Sequence, residues 1–193
     1  MNLKALLAAS VGGLLIAANA ESPLPSGWQR QSVLGADQAC TAGIQTPLGA
    51  QARRSLTVEC SRVTDGAMSV LQTIAADDYR GKRMRFAARV RADKVRGWGG
   101  LFMRVSSPDA RVIAFDDMST RPLRGTLDWR DVQVILDVEP TASSISFGLR
   151  LSEGPGQVWA EGFRFEEVAA DDPSISINLR PLLPTKPQNL ALE

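Results

Sequence analysis

The sequence contains no histidine among its 193 residues. This absence excludes the Ser-His-Asp and Cys-His nucleophile systems and every zinc site that uses imidazole ligands. Cysteine occurs only twice, which is too few for a zinc site built from cysteine alone. Aromatic residues make up 6% of the chain and include a single tyrosine. Because no familiar catalytic motif remains, we predict that the protein is not an enzyme.

The chain also lacks an excess of charge of either sign. It has 22 Lys and Arg against 21 Asp and Glu, a net charge of +1. Nucleic acids and anionic membranes attract proteins through surplus Lys and Arg, and helix-turn-helix DNA binding needs two adjacent helices that the sequence does not predict. We therefore predict no nucleic-acid partner. The sequence does not predict an oligomeric state.

Residues 1–20 have the order of a secretory signal peptide. Lys4 precedes an apolar run over residues 5–17, and small residues follow at Ala18 and Ala20. The apolar run is shorter than the roughly 20 residues that a membrane-spanning helix needs, which disfavours the alternative of a retained anchor. We predict cleavage after Ala20, a periplasmic or secreted mature chain, and no membrane span after cleavage.

Export places Cys40 and Cys60 in an oxidising compartment, where we predict that they form a disulfide. The loop that this bond closes would contribute on the order of 3 kcal/mol through the entropy of the unfolded chain. The alternative is a pair of separate buried thiols.

Most of residues 27–168 follows the two-residue alternation of half-buried β-strands. The clearest example is residues 82–91, in which apolar side chains alternate with arginines; residues 98–105 form a separate predicted strand. We predict nine or ten strands that form an all-β antiparallel β-sandwich of jelly-roll type over residues 21–168. Residues 169–193, with four prolines, are predicted as an extended tail, and our hypothesis is that it supplies an edge strand in cis or in trans.

Short motifs run through residues 72–166. They are DYRGKR at 78–83, GWGGLFMRV at 97–105, FDDM at 115–118, RPLRGT at 121–126, DW at 128–129, FGL at 147–149 and GQVW at 156–159. Together they resemble a bacterial family of galactose-binding-like jelly rolls, related in fold to carbohydrate-binding modules. The resemblance implies an exported or envelope protein, and we predict a non-catalytic domain that binds a carbohydrate or envelope glycan. Because some relatives are fused to DNA-binding regulators, the alternative is a sensor or protein-interaction module of the cell envelope with no sugar ligand.

The candidate ligand-binding residues are tryptophans, arginines and aspartates of this stretch: Trp98, Arg104, Asp116, Asp117, Arg121, Arg124 and Trp129. Aromatic rings stack on the apolar faces of sugars, and the planar groups of Arg and Asp bind pairs of hydroxyls. The structural alternative is that Arg–Asp pairs hold the loop over residues 116–128, with both tryptophans in the core. Adjacent strand residues point to opposite faces, so Asp116 and Asp117 do not form a facing catalytic pair.

Two other features have alternative interpretations. Related jelly rolls often hold a structural calcium, and the resemblance places Glu161 and Glu193 at the corresponding positions. Calcium needs six to eight oxygen ligands, and the sequence identifies only these two, so we predict no cofactor and keep calcium as the alternative. The arginine stripe of residues 83–91 either binds an anionic polysaccharide or is a solvated strand face that protects a sheet edge; we favour the second interpretation.

Overall fold

The computed structural model describes residues 23–46 and 53–169. Nine β-strands and two short 3-10 turns make up the regular structure of this part of the chain, which contains no α-helix. The strands are β1 (Gln29–Val33), β2 (Cys40–Gln45), β3 (Ser55–Cys60), β4 (Ala67–Ala75), β5 (Arg83–Ser106), β6 (Val112–Asp116), β7 (Leu123–Asp137), β8 (Ser144–Ser152) and β9 (Gly156–Val168). The turns are Ala36–Gln38 and Asp77–Tyr79. Within this part of the chain, no helix is long and apolar enough to cross a membrane.

Three sequence predictions lie outside the described residues. They concern the signal peptide of residues 1–20, almost all of the tail of residues 169–193, and Glu193 as a calcium ligand. The proposed edge strand of the tail and the export of the chain therefore stay predictions.

Strand β5 belongs to both layers of a sandwich because it bends near its middle. Residues 83–93 pair with β7 on one side and with β9 on the other, and β9 continues through β3 to β2. Residues 98–106 pair with β6 and β8, and β8 continues through β4 to β1. We call the first group layer I and the second group layer II. All of these pairings are antiparallel, so the predicted all-β antiparallel β-sandwich is confirmed.

The prediction of separate strands over residues 82–91 and 98–105 is wrong, since both belong to β5. The intervening residues are compatible with a turn because most of them are polar and they end in a glycine. Instead they form a bend: Lys94 has a positive φ of 50°, and the register between β5 and β7 shifts three times between Val90 and Gly99. Bulges and bends of this kind allow one strand to pass from one layer of a sandwich to the other.

The core lies between the two layers. The inner face of β5 follows the predicted alternation, and its members are at most 2% exposed: Met84, Phe86, Ala88, Val90, Leu101, Met103 and Val105. The ring of Phe86 contacts Phe147 of layer II at 4.9 Å and Phe163 of layer I at 5.8 Å between centroids. The predicted disulfide between Cys40 and Cys60 is confirmed, and it joins directly opposed residues of β2 and β3. This packing leaves the two outer faces and the loops as the surfaces available for recognition.

Candidate functional site

The outer face of layer I carries the arginine stripe of β5. Strands β7 and β9 flank this half of β5, so the predicted role of the stripe in protecting a sheet edge is wrong. The arginines are matched by groups on the neighbouring strands: Arg83 with Asp137 at 2.7 Å, Arg85 with Glu166 at 3.0 Å, Arg89 with Glu161 at 3.1 Å, and Arg91 with the ring of Trp159 at 5.0 Å. These acidic partners thus neutralise most of the positive charge that would attract an anionic polysaccharide.

Other polar groups on this face also have partners within the chain. The indole N–H of Trp159 donates to the Oε1 atom of Gln45. The Nε2 atom of Gln157 donates to the Oγ1 atom of Thr57 at 3.0 Å. Since these groups are already hydrogen-bonded, a ligand on the outer face of layer I would have to displace existing contacts.

A groove of about 600 Å³ lies at one end of layer I, where β5 bends. Its wall includes two acidic and two basic residues: Glu59, Asp93, Lys94 and Arg96. The side chain of Thr126 bridges two strands beside it, accepting from the backbone N–H of Lys94 and donating to Asp93, each at 3.1 Å. The charges of the groove are therefore balanced, and they give no preference for a ligand of either sign.

The outer face of layer II is sheltered from solvent. Along β5 it carries Trp98, Gly100, Phe102 and Arg104, and β8 places Ser152, Arg150, Gly148 and Ser146 directly opposite them. Outer positions of a sandwich are normally solvated. Here Ser146 and Ser152 are each 3% exposed and Phe102 is 5% exposed, whereas Trp98, Arg104 and Arg150 remain half-buried. We call this surface the layer II face.

Three charged side chains interact on the layer II face. The guanidinium of Arg150 lies 5.6 Å from the centre of the Trp98 ring. Burial lowers the pKa of Arg150 below its ordinary value; the carboxylate of Asp117 opposes this shift, and the positive charge of Arg104 adds to it. Arg104 Nη2 donates to the Oγ atom of Ser146 at 3.4 Å. Arginine keeps its charge at neutral pH despite such shifts, so the face combines two cations with one anion.

Three polar atoms of this face have no hydrogen-bond partner among the described residues. In the part of the chain that the structure describes, Arg104 Nε, Arg150 Nε and Ser152 Oγ are buried and unpartnered. Leaving one such group unsatisfied costs about 1–3 kcal/mol, so an arrangement of this kind calls for a functional explanation. Because the polar groups of layer I are matched and these are not, the layer II face is the stronger candidate for a binding site.

The structure brings together only three of the seven predicted ligand-binding residues. Trp98 and Arg104 lie on the layer II face, and the carboxylate of Asp117 lies close enough to interact with the charge of Arg150. Trp129 lies in layer I, where the guanidinium of Arg89 is 5.7 Å from its ring centre. Arg124 is exposed on β7. Both tryptophans are half-buried and neither belongs to the core cluster, so the alternative that places them in the core is wrong.

Asp116 and Arg121 have a structural role. The carboxylate of Asp116 is fully buried and accepts two hydrogen bonds from the guanidinium of Arg121, at 3.0 and 2.7 Å. It also accepts the backbone N–H of Met118 at 2.9 Å. This is the Arg–Asp pair that the structural alternative predicts for the loop after β6, and it holds the loop beside the edge of layer II.

Sequence reasoning missed Arg150, Ser146 and Ser152. All three lie on β8, where the only sequence motif is FGL at 147–149. The outward row of this strand reads Ser144, Ser146, Gly148, Arg150 and Ser152, so a lone arginine stands among very small side chains. That contrast is the sequence signal that distinguishes Arg150 from its neighbours on this strand.

The calcium prediction rests on Glu161, which pairs with Arg89 on layer I at 3.1 Å. Residues 23–46 and 53–169 contain no group of three or more Asp, Glu, His or Cys side chains arranged to hold a metal ion. Calcium therefore stays an untested alternative to the prediction of no cofactor, without a ligand set among the described residues.

No family model matches the chain. The chain is 40% identical over 125 residues to an uncharacterized HTH-type transcriptional regulator, YbfP, of Bacillus subtilis (strain 168). The match covers 65% of this chain and 42% of the relative, so the chain spans less than half of the length of that protein.

Solved structures of low sequence identity share the fold. The xylan-binding CBM22-1 domain of Paenibacillus barcinonensis Xyn10C has a TM-score of 0.51 at 14% identity, with 76% of this chain and 89% of that domain covered. The chain has the β-sandwich fold of a carbohydrate-binding module. The enzymatically active domain of tailspike protein 4 of bacteriophage CBA120 also has a TM-score of 0.51, at 12% identity, with 74% of this chain and 20% of that chain covered. At such identities the likeness concerns the fold, and the narrower galactose-binding-like assignment stays a prediction.

Proposed function

We propose that this protein is an exported, non-catalytic carbohydrate-binding domain and that the glycan binds on the layer II face. The observation that carries the proposal is the set of buried, unpartnered polar atoms on Arg104, Arg150 and Ser152 beside the half-buried ring of Trp98. A sugar ring offers an apolar C–H face for stacking on an aromatic side chain and hydroxyl oxygens that accept from N–H donors. The shared fold with a xylan-binding module supports this proposal.

The carboxylates of the β6 region support a non-catalytic role. Glycosidases commonly use two carboxyl groups on either side of the scissile bond. Asp116 is fully buried and held by Arg121, so it is not available to a substrate. The carboxylate of Asp117 interacts with the charge of Arg150, and its Oδ1 atom accepts the backbone N–H of Ser119 at 3.1 Å.

A pair of tryptophan variants on opposite layers tests the proposal. The purified full chain is screened on a glycan array, and the affinity for the best neutral oligosaccharide is measured by calorimetry. We expect Trp98→Ala to weaken binding by at least about tenfold, because the stacking surface is lost. Trp159→Ala is the matched control: this ring also lies beside an arginine, but on layer I, and its removal should leave the affinity unchanged.

The outcomes separate the function from its location. Loss of binding in Trp159→Ala but not in Trp98→Ala would move the site to layer I and its groove, and would contradict the placement. An array with no specific signal for a folded chain would contradict carbohydrate binding itself.

A second candidate function is a sensor or protein-interaction module without a sugar ligand. The observation that favours it is the 40% identity to a protein named as an HTH-type regulator. A silent array, together with saturable binding of an isolated envelope protein that is weakened in Trp98→Ala, would support this alternative over carbohydrate binding.

A further inference from the structure

We propose that the layer II face selects sugars that carry a carboxylate, that is, uronic acids. This inference rests on the proposed function and adds the chemical class of the ligand. Its basis is the combination of two arginines, one opposing carboxylate and an adjacent aromatic ring on a sheltered surface.

The charge of the face is the first argument. Arg104 and Arg150 contribute two positive charges, and Asp117 contributes one negative charge. Asp116 does not alter this balance, since it is neutralised by Arg121 in a buried ion pair. Within the part of the chain that the structure describes, Arg104, Arg150 and Asp117 together carry one excess positive charge on a partly desolvated surface, where it costs free energy. A single carboxylate compensates this charge, whereas a phosphate dianion would leave an excess of negative charge.

The positions of the arginines on the sheet are the second argument. Arg104 on β5 lies opposite Ser146 on β8, and Arg150 on β8 lies opposite Gly100 on β5. Between these two pairs, the outer face carries one further cross-strand pair. That intervening pair is Phe102 and Gly148, and Gly148 contributes no side chain. The two guanidinium groups interact with each other through their charges.

The surroundings of Arg150 are the third argument. Its guanidinium lies against the ring of Trp98, and its Nε atom has no partner among the described residues. The two terminal nitrogens of a guanidinium form an edge that holds a planar, bidentate acceptor. A carboxylate is such an acceptor, and the sugar ring that carries it would lie beside Trp98. A hydroxyl group supplies only one acceptor oxygen at that edge.

The arginines of layer I provide the contrast. Arg83, Arg85 and Arg89 are paired with carboxylates of neighbouring strands. On the layer II face the strand opposite Arg104 supplies a serine rather than an acid. The missing protein carboxylate is the group that the ligand would provide.

The test compares an acidic oligosaccharide with its neutral form. Trigalacturonate and its fully methyl-esterified counterpart have the same sugar rings and differ in charge. We expect the wild-type chain to bind the acid at least about tenfold more tightly than the ester, since charge-assisted hydrogen bonds are about twice as strong as neutral ones. Arg150→Gln and Arg104→Gln should each reduce this ratio to near one. Arg91→Gln is the matched control, because Arg91 also lies against a tryptophan but on layer I, and the ratio should not change.

The possible results distinguish the uronic-acid inference from the proposed carbohydrate binding. Equal binding of acid and ester, lost in Trp98→Ala, would overturn the uronic-acid inference and leave carbohydrate binding intact. Absence of binding of both forms and of every neutral glycan, for a chain with a native melting transition, would overturn both. Competition by acetate as strong as that by monomeric galacturonate would show recognition of a carboxylate without its sugar, and would overturn the inference as well.

Discussion

The outward-facing arginines of β5 have similar positions in the sequence pattern but different contacts in the structure. Arg89 and Arg104 both lie on β5 and both point away from the core. Arg89 meets the acidic Glu161 on β9, whereas Arg104 meets Ser146 on β8. The identity of the cross-strand neighbour therefore decides whether an outward arginine is a structural ion pair or a group available to a ligand.

Burial should decide how much an Arg–Asp pair contributes to stability. The side chain of Asp116 is 0% exposed in its pair with Arg121, whereas that of Asp137 is 65% exposed in its pair with Arg83. Removal of one partner of a buried pair leaves an uncompensated charge, so we expect Asp116→Ala to lower the free energy of unfolding by about 3 kcal/mol. The matched control Asp137→Ala should cost less than about 1 kcal/mol. Urea denaturation measures both, and equal losses would contradict this account.

At the scale of the element, β5 is the strand on which the architecture depends. Its first half is the centre of layer I and its second half is part of layer II, so the bend between them sets the relation of the two sheets. The inward and outward rows of both halves are predictable from alternation. The continuity of the strand across residues 91–98 is not predictable, because a polar, glycine-containing segment is equally compatible with a turn. Pairing with β7 and β9 determines that this segment continues β5.

Gly97 lies where the bend passes closest to β8. A Cβ atom at this position would lie 2.1 Å from the carbonyl oxygen of Ser152. We expect Gly97→Ala to lower the free energy of unfolding by about 2–3 kcal/mol, because the backbone of β5 or β8 would have to shift.

The control for this variant is Gly125→Ala. Gly125 has a positive φ of 71° but no atom within 4 Å of a Cβ at that position, so only the backbone conformation is penalised, by about 1 kcal/mol. Thermal and urea denaturation of both variants distinguish the two effects. A Gly97→Ala variant no less stable than Gly125→Ala would show that β8 does not approach the bend this closely.

At the scale of the whole molecule, the absence of histidine has a consequence for stability. No side chain of ordinary pKa titrates between about pH 5 and 8, so the melting temperature should be constant over that range. A hydrogen bond from Arg83 lowers the pKa of Asp137 below its ordinary value of 3.8, and a hydrogen bond from Ser107 lowers the pKa of Asp109 in the same way. Since the folded-state pKa is the lower one, this stabilisation is complete above the ordinary value and is lost as the pH falls through the folded-state pKa.

We therefore expect the melting temperature to fall only below about pH 4. Asp137→Asn should make this acid-induced decrease smaller, because one of the responsible carboxylates is gone. Differential scanning calorimetry across the pH range checks the prediction, and a transition in stability between about pH 6 and 7 would contradict it.

The sequence by itself determined the class of the fold, the inward rows of the strands and the Cys40–Cys60 bond. Alternation of apolar and polar side chains is a local property, and it is enough to define which residues of each strand face a core. Only the tertiary structure decided which outward residues act together, because that depends on the order of strands in the sheets. Placement of β8 beside the second half of β5 brings Arg150 next to Trp98 and Arg104, although Arg150 is far from both of them in the sequence. The same order separates Trp129 from Trp98, although both lie in the stretch of motifs that the sequence marks out.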